Sequence, residues 1–320
     1  MMRLKVNLSY KYKGEAMWQI IGSGAIGCLW AANLLKMGQQ VHLISRTNMA
    51  TTKLHYQNLH GEKLVYDCPN STALVNQHSP ILVCVKAPQV KQALLQQRQH
   101  ISDEQVIILM HNGMGSAEQV AEVFPNNPII CATTANASLV NGPLNITQTG
   151  LGITYLGAFN QQAKCYSELT EILNSALDNC HWCADIQQKL WLKLIINVAI
   201  NPLTALHQVN NGQLINPPYQ TQIEHIVQEA MPVLDKLDLQ FDSAELLQII
   251  NNVINATAAN YSSMNRDIHF QRATENDYIN GYLIKKASQY NIETPVIKSL
   301  YEQIKVLENR SPTPLNTESS

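Results

Sequence analysis

The stretch Trp18-Gln-Ile-Ile-Gly-Ser-Gly-Ala-Ile-Gly27 decides the fold of this chain. Trp18 to Ile21 is a short apolar strand that runs directly into a G-x-G-x-x-G turn made of Gly22, Ser23, Gly24, Ala25, Ile26 and Gly27. From Cys28 to Met37 the apolar residues recur at helical spacing, Gly38 stops the helix, and Gln40 to Ser45 reads as a second strand. Strand, glycine turn, helix and strand within about 30 residues is the setting in which this motif binds a dinucleotide. Gly22 permits the tight turn, Gly24 lets the backbone approach a pyrophosphate, and Gly27 lets helix and strand pack closely. Free N–H groups and the positive end of the helix dipole then face the phosphates. Without that setting the same glycines would be only a turn in some other α/β protein.

The end of the second strand selects the dinucleotide. An NAD-specific site places Asp or Glu there to hold the ribose 2′-OH. This chain has Ser45, Arg46, Thr47 and Asn48 instead, with no carboxylate. The planar guanidinium of Arg46 suits a 2′-phosphate, so the sequence predicts NADPH in preference to NADH. Further strands are expected at Ile81 to Val85, Val106 to Leu109 and Ile129 to Thr133, with helices between them and a mostly parallel sheet. Lys86 ends one strand and Asn112 lies just beyond another, on the side of the sheet where ligands bind. Lys86 reads equally well as a solvated strand-end charge, and Asn112 as a turn former. Gly142 to Gly157 looks like hairpin material appended to the sheet.

The rest of the composition narrows the class. The chain has 320 residues, 45% hydrophobic and only 14% charged, with a net charge of -2. Such a balance gives no footprint for nucleic acid or an anionic membrane. No run approaches the roughly 20 apolar residues of a membrane-spanning helix, and the sequence predicts a cytoplasmic protein. Seven cysteines without a secretion signal suggest reduced thiols. Cys180-His-Trp-Cys183 has no second pair to complete a zinc site and does not open a helix, so packing is the better reading and no metal is expected.

From Gln187 onward the pattern is helical, with breaks near Pro217-Pro218, Asp242-Ser243 and Thr294-Pro295. Within this half, Lys193, Asn197 and Asn201 recur every four residues in an otherwise apolar stretch, which stacks them along one stripe of a helix. Burying a Lys is costly unless a partner meets it, so the stripe faces either a polar network or a wet cleft. A narrow solvent-facing strip on a core helix is the plainer alternative. Pro202 disfavours helical geometry at Asn201, whose amide is as suited to stabilising a kink as to touching a substrate.

Over roughly residues 17 to 305 the chain resembles the ketopantoate reductases (2-dehydropantoate 2-reductases). The matching segments are the glycine turn with Arg46, Val85-Lys-Ala-Pro-Gln89, His111-Asn-Gly-Met-Gly115, Lys193-x-x-x-Asn197-x-x-x-Asn201-Pro-Leu-Thr-Ala205, Asn211-Gly212, and Ser262-Ser-Met264 leading to Thr274-Glu275. The resemblance implies a Rossmann-type domain over 17–185 and, over 186–309, an all-α domain like the C-terminal domain of 6-phosphogluconate dehydrogenase, with a cleft between them. It implies reduction of 2-dehydropantoate to (R)-pantoate by NADPH, on the way to pantothenate and coenzyme A, by a monomer or homodimer. It also implies that Lys193 is the general acid and Glu275 its acidic partner. Asn112, Asn197, Asn201, Asn211 and Ser263 fall on substrate positions; the glycine turn, Arg46, Lys86, Gln89, Asn112 and Ser138 fall on cofactor positions.

The residue types suit that chemistry. Hydride addition to a ketone leaves an alkoxide that needs a proton, and a charged Lys193 can supply it. Burial and a cationic nicotinamide lower its pKa, and Glu275 raises it again. Neutral amides and a hydroxyl can orient the carboxylate and hydroxyl of a small acid. Glu275 has a structural reading too, as a first-turn carboxylate in a helix capped by Thr274. His111 ranks below Lys193 as an acid, and Asp267 is expected to be structural. A related 2-hydroxyacid dehydrogenase acting on other branched 2-oxo acids is the alternative, and a dinucleotide sensor without turnover a more distant one. Two features depart from the family: Asn276 stands where an aliphatic residue is common, and the leader before Met17 has no counterpart. Residues 1–16 read as a mis-started extension or a short disordered arm, and 310–320 as a disordered tail.

Overall fold

The computed structural model describes residues 17–309; the leader expected at 1–16 and the tail expected at 310–320 lie outside the described residues. Two compact units emerge. One holds the described residues up to His111 together with Gly115–Leu190, and the other holds Asn112–Met114 together with the described residues from Trp191 onward.

In the first unit, β1 (Met17–Ile21), α1 (Ala25–Lys36) and β2 (Gln40–Ile44) follow the opening motif. Next come β3 (Lys53–Gln57), β4 (Lys63–Asp67), β5 (Asn70–Ser71), β6 (Ile81–Val83), α2 (Ala87–Gln96), β7 (Ile107–Met110), α3 (Ser116–Val123) and β8 (Ile129–Thr134). The unit closes with β9 (Ala137–Gly142), β10 (Asn145–Gly150), β11 (Thr154–Ala158), α4 (Leu169–Ala176) and β12 (Cys180–Trp182). Eight of these strands form one sheet in the order β12-β11-β8-β7-β6-β1-β2-β5. Every pairing from β8 to β5 is parallel, β11 runs antiparallel to β8, and β12 is parallel to β11.

Strand alternation explains the two faces of this sheet. Trp18, Ile20, Leu82, Ile108 and Ile130 pack into one cluster with α1 and α4. Ile21, Ile81, Val83, Ile107, Leu109 and Ile129 pack into another with α2 and α3. Gln19 breaks the apolar pattern at a fully buried position. Its amide accepts from the backbone N–H groups of Val75 and Asn76 and donates to the Asn76 carbonyl, so each polar atom is matched.

The span between β2 and β6 is where the sequence reading assigned no element. It contributes β3 and β4 to a second sheet of order β4-β3-β10-β9, which corrects the expectation that Gly142 to Gly157 extends the main sheet as a hairpin. β9 and β10 do pair antiparallel, but in the second sheet; only β11 joins the first. Leu54, Tyr56, Leu144 and Ile146 join the same core cluster as Trp30 and Leu34 of α1. Strands β3 (K-L-H-Y-Q) and β4 (K-L-V-Y-D) carry the period-2 alternation of half-buried strands.

The second unit is helical: most of α5 (Ile186–His207), then α6 (Pro217–Lys236), α7 (Ser243–Ala256), α8 (Ser263–His269), α9 (Asn280–Gln289) and α10 (Pro295–Glu308). Three starts coincide with the breaks read from sequence. Proline occupies the first helical position of α6 and α10, where its missing N–H is no loss, and the Asp242 carboxylate caps α7 by accepting from Glu245 N–H. α5 runs continuously through Pro202, whose neighbours Val198, Ala199, Ile200 and Leu203 are buried. One expectation needs correction, that no run approaches the length of a membrane-spanning helix. The same helix has a mean hydropathy of 1.3 and is long and apolar enough to cross a membrane by length and composition. In the folded chain 61% of that window is buried, and the three-residue polar stripe runs along it, so its apolarity serves the core.

Candidate functional site

The glycine turn is built for close backbone approach. Gly22 has φ of +113°, and a Cβ there would meet the Val85 side chain at 3.0 Å and the Cys84 backbone at 3.1 Å. A Cβ on Gly27 would sit 1.9 Å from the Gly22 carbonyl oxygen, so helix and turn touch where a side chain cannot fit. Gly24 differs: as the N-cap of α1, a Cβ on it would meet nothing within 4 Å. Packing within the chain therefore does not require glycine at this position, whereas close approach by a ligand does. Ser23 accepts from the Cys28 thiol through its carbonyl, and Ser138 donates to the Ala25 carbonyl at 2.7 Å, tying β9 to the turn. The first turn of α1 has no acidic residue, so its N–H groups and dipole are open to an anion.

Around this turn, β1 aligns with β2 and β6, with Ile21 opposite Ile44 and Val83. Arg46 is exposed two residues beyond β2. Lys86 is half-buried at the N-cap of α2, and Gln89 is exposed one turn later. The turn, Arg46, Lys86, Gln89 and Ser138 thus cluster in the first unit, beyond the carboxyl ends of β1, β2 and β6. Asn112 groups with the second unit instead.

In the second unit, Lys193 and Asn197 are half-buried and Asn201 is 5% exposed. Burial pushes the Lys193 ammonium down from 10.5 to about 8, and the neighbouring Glu275 carboxylate pulls it back up. Glu275 is 6% exposed, and Asn112 donates its side-chain N–H to the Glu275 Oε2 at 3.3 Å. The backbone reinforces this contact: Met114 N–H donates to the Tyr278 carbonyl at 2.8 Å. Gly113, at φ of +75°, lies so close that a Cβ would be 2.6 Å from that same oxygen. Three groups that the sequence placed in separate blocks, Asn112, Lys193 and Glu275, are therefore one constellation.

Of the two adjacent serines, Ser262 is buried and caps α8 by accepting from Asn265 N–H, while Ser263 is exposed at the first helical position. The Ser262 and Thr204 hydroxyls lie 2.6 Å apart. Because Thr204 donates to the carbonyls of Ile200 and Asn201, its single proton is committed and Ser262 is the donor between the two. Asn265 completes the network by donating to the carbonyls of Thr204 and Val209. This network, absent from the sequence reading, fixes α8 to the end of the α5 stripe; the signal for it was Ser262 spaced three residues from a polar Asn265. Asn211 donates to the Thr257 hydroxyl at 2.8 Å, and its own side-chain oxygen is buried without a partner.

The remaining predicted residues are local. Thr274 does not cap an α-helix: its hydroxyl accepts from Asn276 N–H in a short 3-10 turn over Asn276–Tyr278, and α9 starts only at Asn280. Asn276 is buried and donates to the Tyr301 carbonyl at 3.0 Å, which explains a polar residue at this position. Asp267 pairs with Arg272 at 3.4 Å. His111 is half-buried just beyond β7. Cys180 is buried and donates to the Leu177 carbonyl, and burial pushes its thiol up to about 11. Among the described residues no cluster of three or more His, Cys, Asp or Glu is placed to hold a metal.

Comparison with known proteins places these features in a family. Residues 18–161 match the family described as ketopantoate reductase PanE/ApbA, and residues 185–308 match its C-terminal domain. The 2-dehydropantoate 2-reductase of Vibrio cholerae is 38% identical over 289 residues, covering 90% of this chain and 97% of that protein. That of Escherichia coli O157:H7 is 33% identical over 290 residues, covering 89% and 93%. Among solved structures, the probable 2-dehydropantoate 2-reductase of Bacillus subtilis superposes with a TM-score of 0.77 at 28% identity, covering 91% of this chain and all of that one. A D-mandelate dehydrogenase complexed with NADH and anilino(oxo)acetate superposes with a TM-score of 0.83, covering 92% and 98%, but at 23% identity this shows a shared fold alone.

Proposed function

This chain belongs to the ketopantoate reductase family and reduces 2-dehydropantoate with NADPH, and we propose that Lys193 is the general acid of that reaction. The observation that carries the proposal is the half-buried Lys193 ammonium in the field of the buried Glu275 carboxylate, which Asn112 braces. Bound at the glycine turn, NADPH would supply the hydride for the keto carbon. As the carbonyl oxygen gains negative charge, the Lys193 ammonium donates a proton to it, and the hydroxyl of pantoate forms while the amine becomes neutral. Solvent then returns the proton to the amine. A pKa near 8 suits this cycle, since the group is mostly charged at neutral pH yet gives up its proton readily. Glu275 keeps the charged form populated against the cost of burial.

Asn197, Asn201 and the exposed Ser263 hydroxyl are assigned to the carboxylate and hydroxyl of the substrate, with Asn211 as a further polar contact. A site that pairs with specific oxygens penalises an analogue lacking one of them. Gly22 to Gly27 would hold the pyrophosphate, Arg46 the 2′-phosphate, and Lys86, Gln89, Asn112 and Ser138 the rest of the dinucleotide. The open space at Gly24 and the lack of a carboxylate after β2 support this assignment. Free thiols at all seven cysteines support a cytoplasmic location. The molecule is taken to work as a monomer or homodimer on a small-molecule substrate. Other branched 2-oxo acids are the less favoured substrates, given the names of the relatives.

The test is NADPH oxidation with 2-dehydropantoate, repeated with NADH and with 2-oxoisovalerate. The Lys193→Ala variant should bind NADPH normally and lose at least about a hundredfold in turnover, the usual scale of acid catalysis. Turnover at the wild-type rate in that variant would overturn the assignment.

A further inference from the structure

The turn that carries Glu275 is gripped on two sides, and only one grip involves a residue so far assigned a role. Asn112 to Met114 hold it through the Glu275 carboxylate and the Tyr278 carbonyl. The second grip comes from the last turn of α10. One carboxylate oxygen of Glu308 accepts from Thr274 N–H at 3.0 Å and from the Thr274 hydroxyl at 2.6 Å. The Thr274 oxygen in turn accepts from Asn276 N–H, so the backbone on either side of Glu275 is fixed to one point. Lys305 pairs with the other Glu308 oxygen at 3.2 Å and with Asp277 at 3.0 Å; Tyr301 donates its hydroxyl to Asp277, and its carbonyl accepts from Asn276.

Glu308 is electrostatically out of place as a helix residue. A carboxylate in the last turn of a helix faces the negative end of the dipole and weakens the helix. Lys305, three residues earlier, offsets this only in part, since its pair with Glu308 is partly solvated. The compensation comes from two hydrogen bonds to an ionised acceptor, the stronger class of such bonds.

We propose that Glu308 is a positioning residue for the reductase reaction, holding the 274–278 turn so that Glu275 stays beside Lys193. This rests on Lys193 being the general acid. Loosening the turn lets the Glu275 carboxylate move away from the ammonium, which destabilises the charged form of Lys193. The charged and titratable groups facing this region are Lys193 from α5, Glu275, Asp277 and Tyr278 from the turn, and Tyr301, Lys305 and Glu308 from α10.

The pair Glu308→Ala and Glu308→Gln, made in the full-length chain, tests the proposal with two readouts. The glutamine keeps an oxygen that accepts both Thr274 bonds; the alanine does not. Amide hydrogen exchange over 273–279 should quicken by about tenfold or more in Glu308→Ala and by less than about threefold in Glu308→Gln. The alkaline limb of the pH profile of kcat should fall by about half a pH unit or more in the alanine variant and return toward wild type in the glutamine variant. Exchange unchanged in Glu308→Ala, or a glutamine variant as impaired as the alanine one, overturns the proposal whatever the substrate proves to be. Exchange that quickens with no movement of the alkaline limb also overturns it, by making Glu308 a purely structural anchor. A wild-type enzyme inactive on 2-dehydropantoate overturns the reductase reading instead, and the exchange result still reports on the clamp. If Glu308→Ala fails to fold, Thr274→Val and Thr274→Ser repeat the comparison from the other side of the bond.

Discussion

Replacing Glu275 by Gln removes one charge while keeping the shape of the side chain and an oxygen that can accept from Asn112. In the native protein the ammonium of Lys193 sits near 8, lowered by burial and raised by Glu275. At about pH 7.5 such a group is roughly three-quarters protonated, enough to serve as an acid in most molecules. A neighbouring carboxylate is worth roughly one to three pH units to a buried amine. Without it, Lys193 should titrate at roughly 5 to 7. The protonated fraction at about pH 7.5 then falls roughly threefold at the small end and about 200-fold at the large end. The sign matters: an acid must be protonated to work, so activity is lost as pH rises through its pKa, and lowering that pKa moves the loss to lower pH. Steady-state kcat measured from about pH 5 to 9.5 at saturating NADPH should show the alkaline limb displaced downward, with the deficit shrinking toward the acid end. A deficit of the same size at every pH, or a limb that stays where it was, would refute the electrostatic role given to Glu275.

Other changes probe separate parts of the molecule. Arg46→Ala should raise KM for NADPH about tenfold or more while leaving KM for NADH nearly unchanged, as expected for loss of a fork that pairs with a phosphate; equal effects on both would remove Arg46 from the 2′-phosphate site. Gly113→Ala adds a Cβ 2.6 Å from the Tyr278 carbonyl at a residue with φ of +75°, so it should lower Tm and reduce kcat together. A variant with native Tm and native kcat would show that this approach is not needed. Thr204→Val leaves the committed proton of Ser262 without an acceptor and should cost about 1–3 kcal/mol by chemical denaturation, with Thr204→Ser close to wild type. Equal losses in the two variants would point to packing rather than the hydroxyl.

The parts of this molecule that were legible in the sequence are those governed by short-range rules. The glycine turn could be read because backbone geometry at Gly22 and Gly27 admits no side chain, and because strand and helix flank it within one unit. The starts of α6, α7 and α10 could be read because Pro217, Asp242 and Pro295 act on their own helix ends. The polar stripe of α5 was visible as a periodicity, because one helix carries all three of its residues. What stayed hidden depends on distant pairs. β3 and β10 meet across about ninety residues, as do the two sides of the second sheet, and no local pattern says which strands will pair. The grips on Glu275 join residues separated by 163 positions on one side and 34 on the other. The resemblance gave roles to Asn112 and Glu275 but none to Gly113, Thr274 or Glu308, because those hold the turn and touch no ligand.

Asn112 to Met114 are the one short segment that leaves the first unit for the second, between β7 and α3. This has a consequence for biosynthesis. The segment emerges from the ribosome long before Glu275, 163 residues later, and at roughly 5–20 residues per second its partner arrives about 8–30 s after it. The sheet around β7 can be complete in that interval while Gly113 stands without the turn it clasps. A fragment beginning at Trp191 would lack the segment altogether, and with it the partners of the Glu275 carboxylate and the Tyr278 carbonyl.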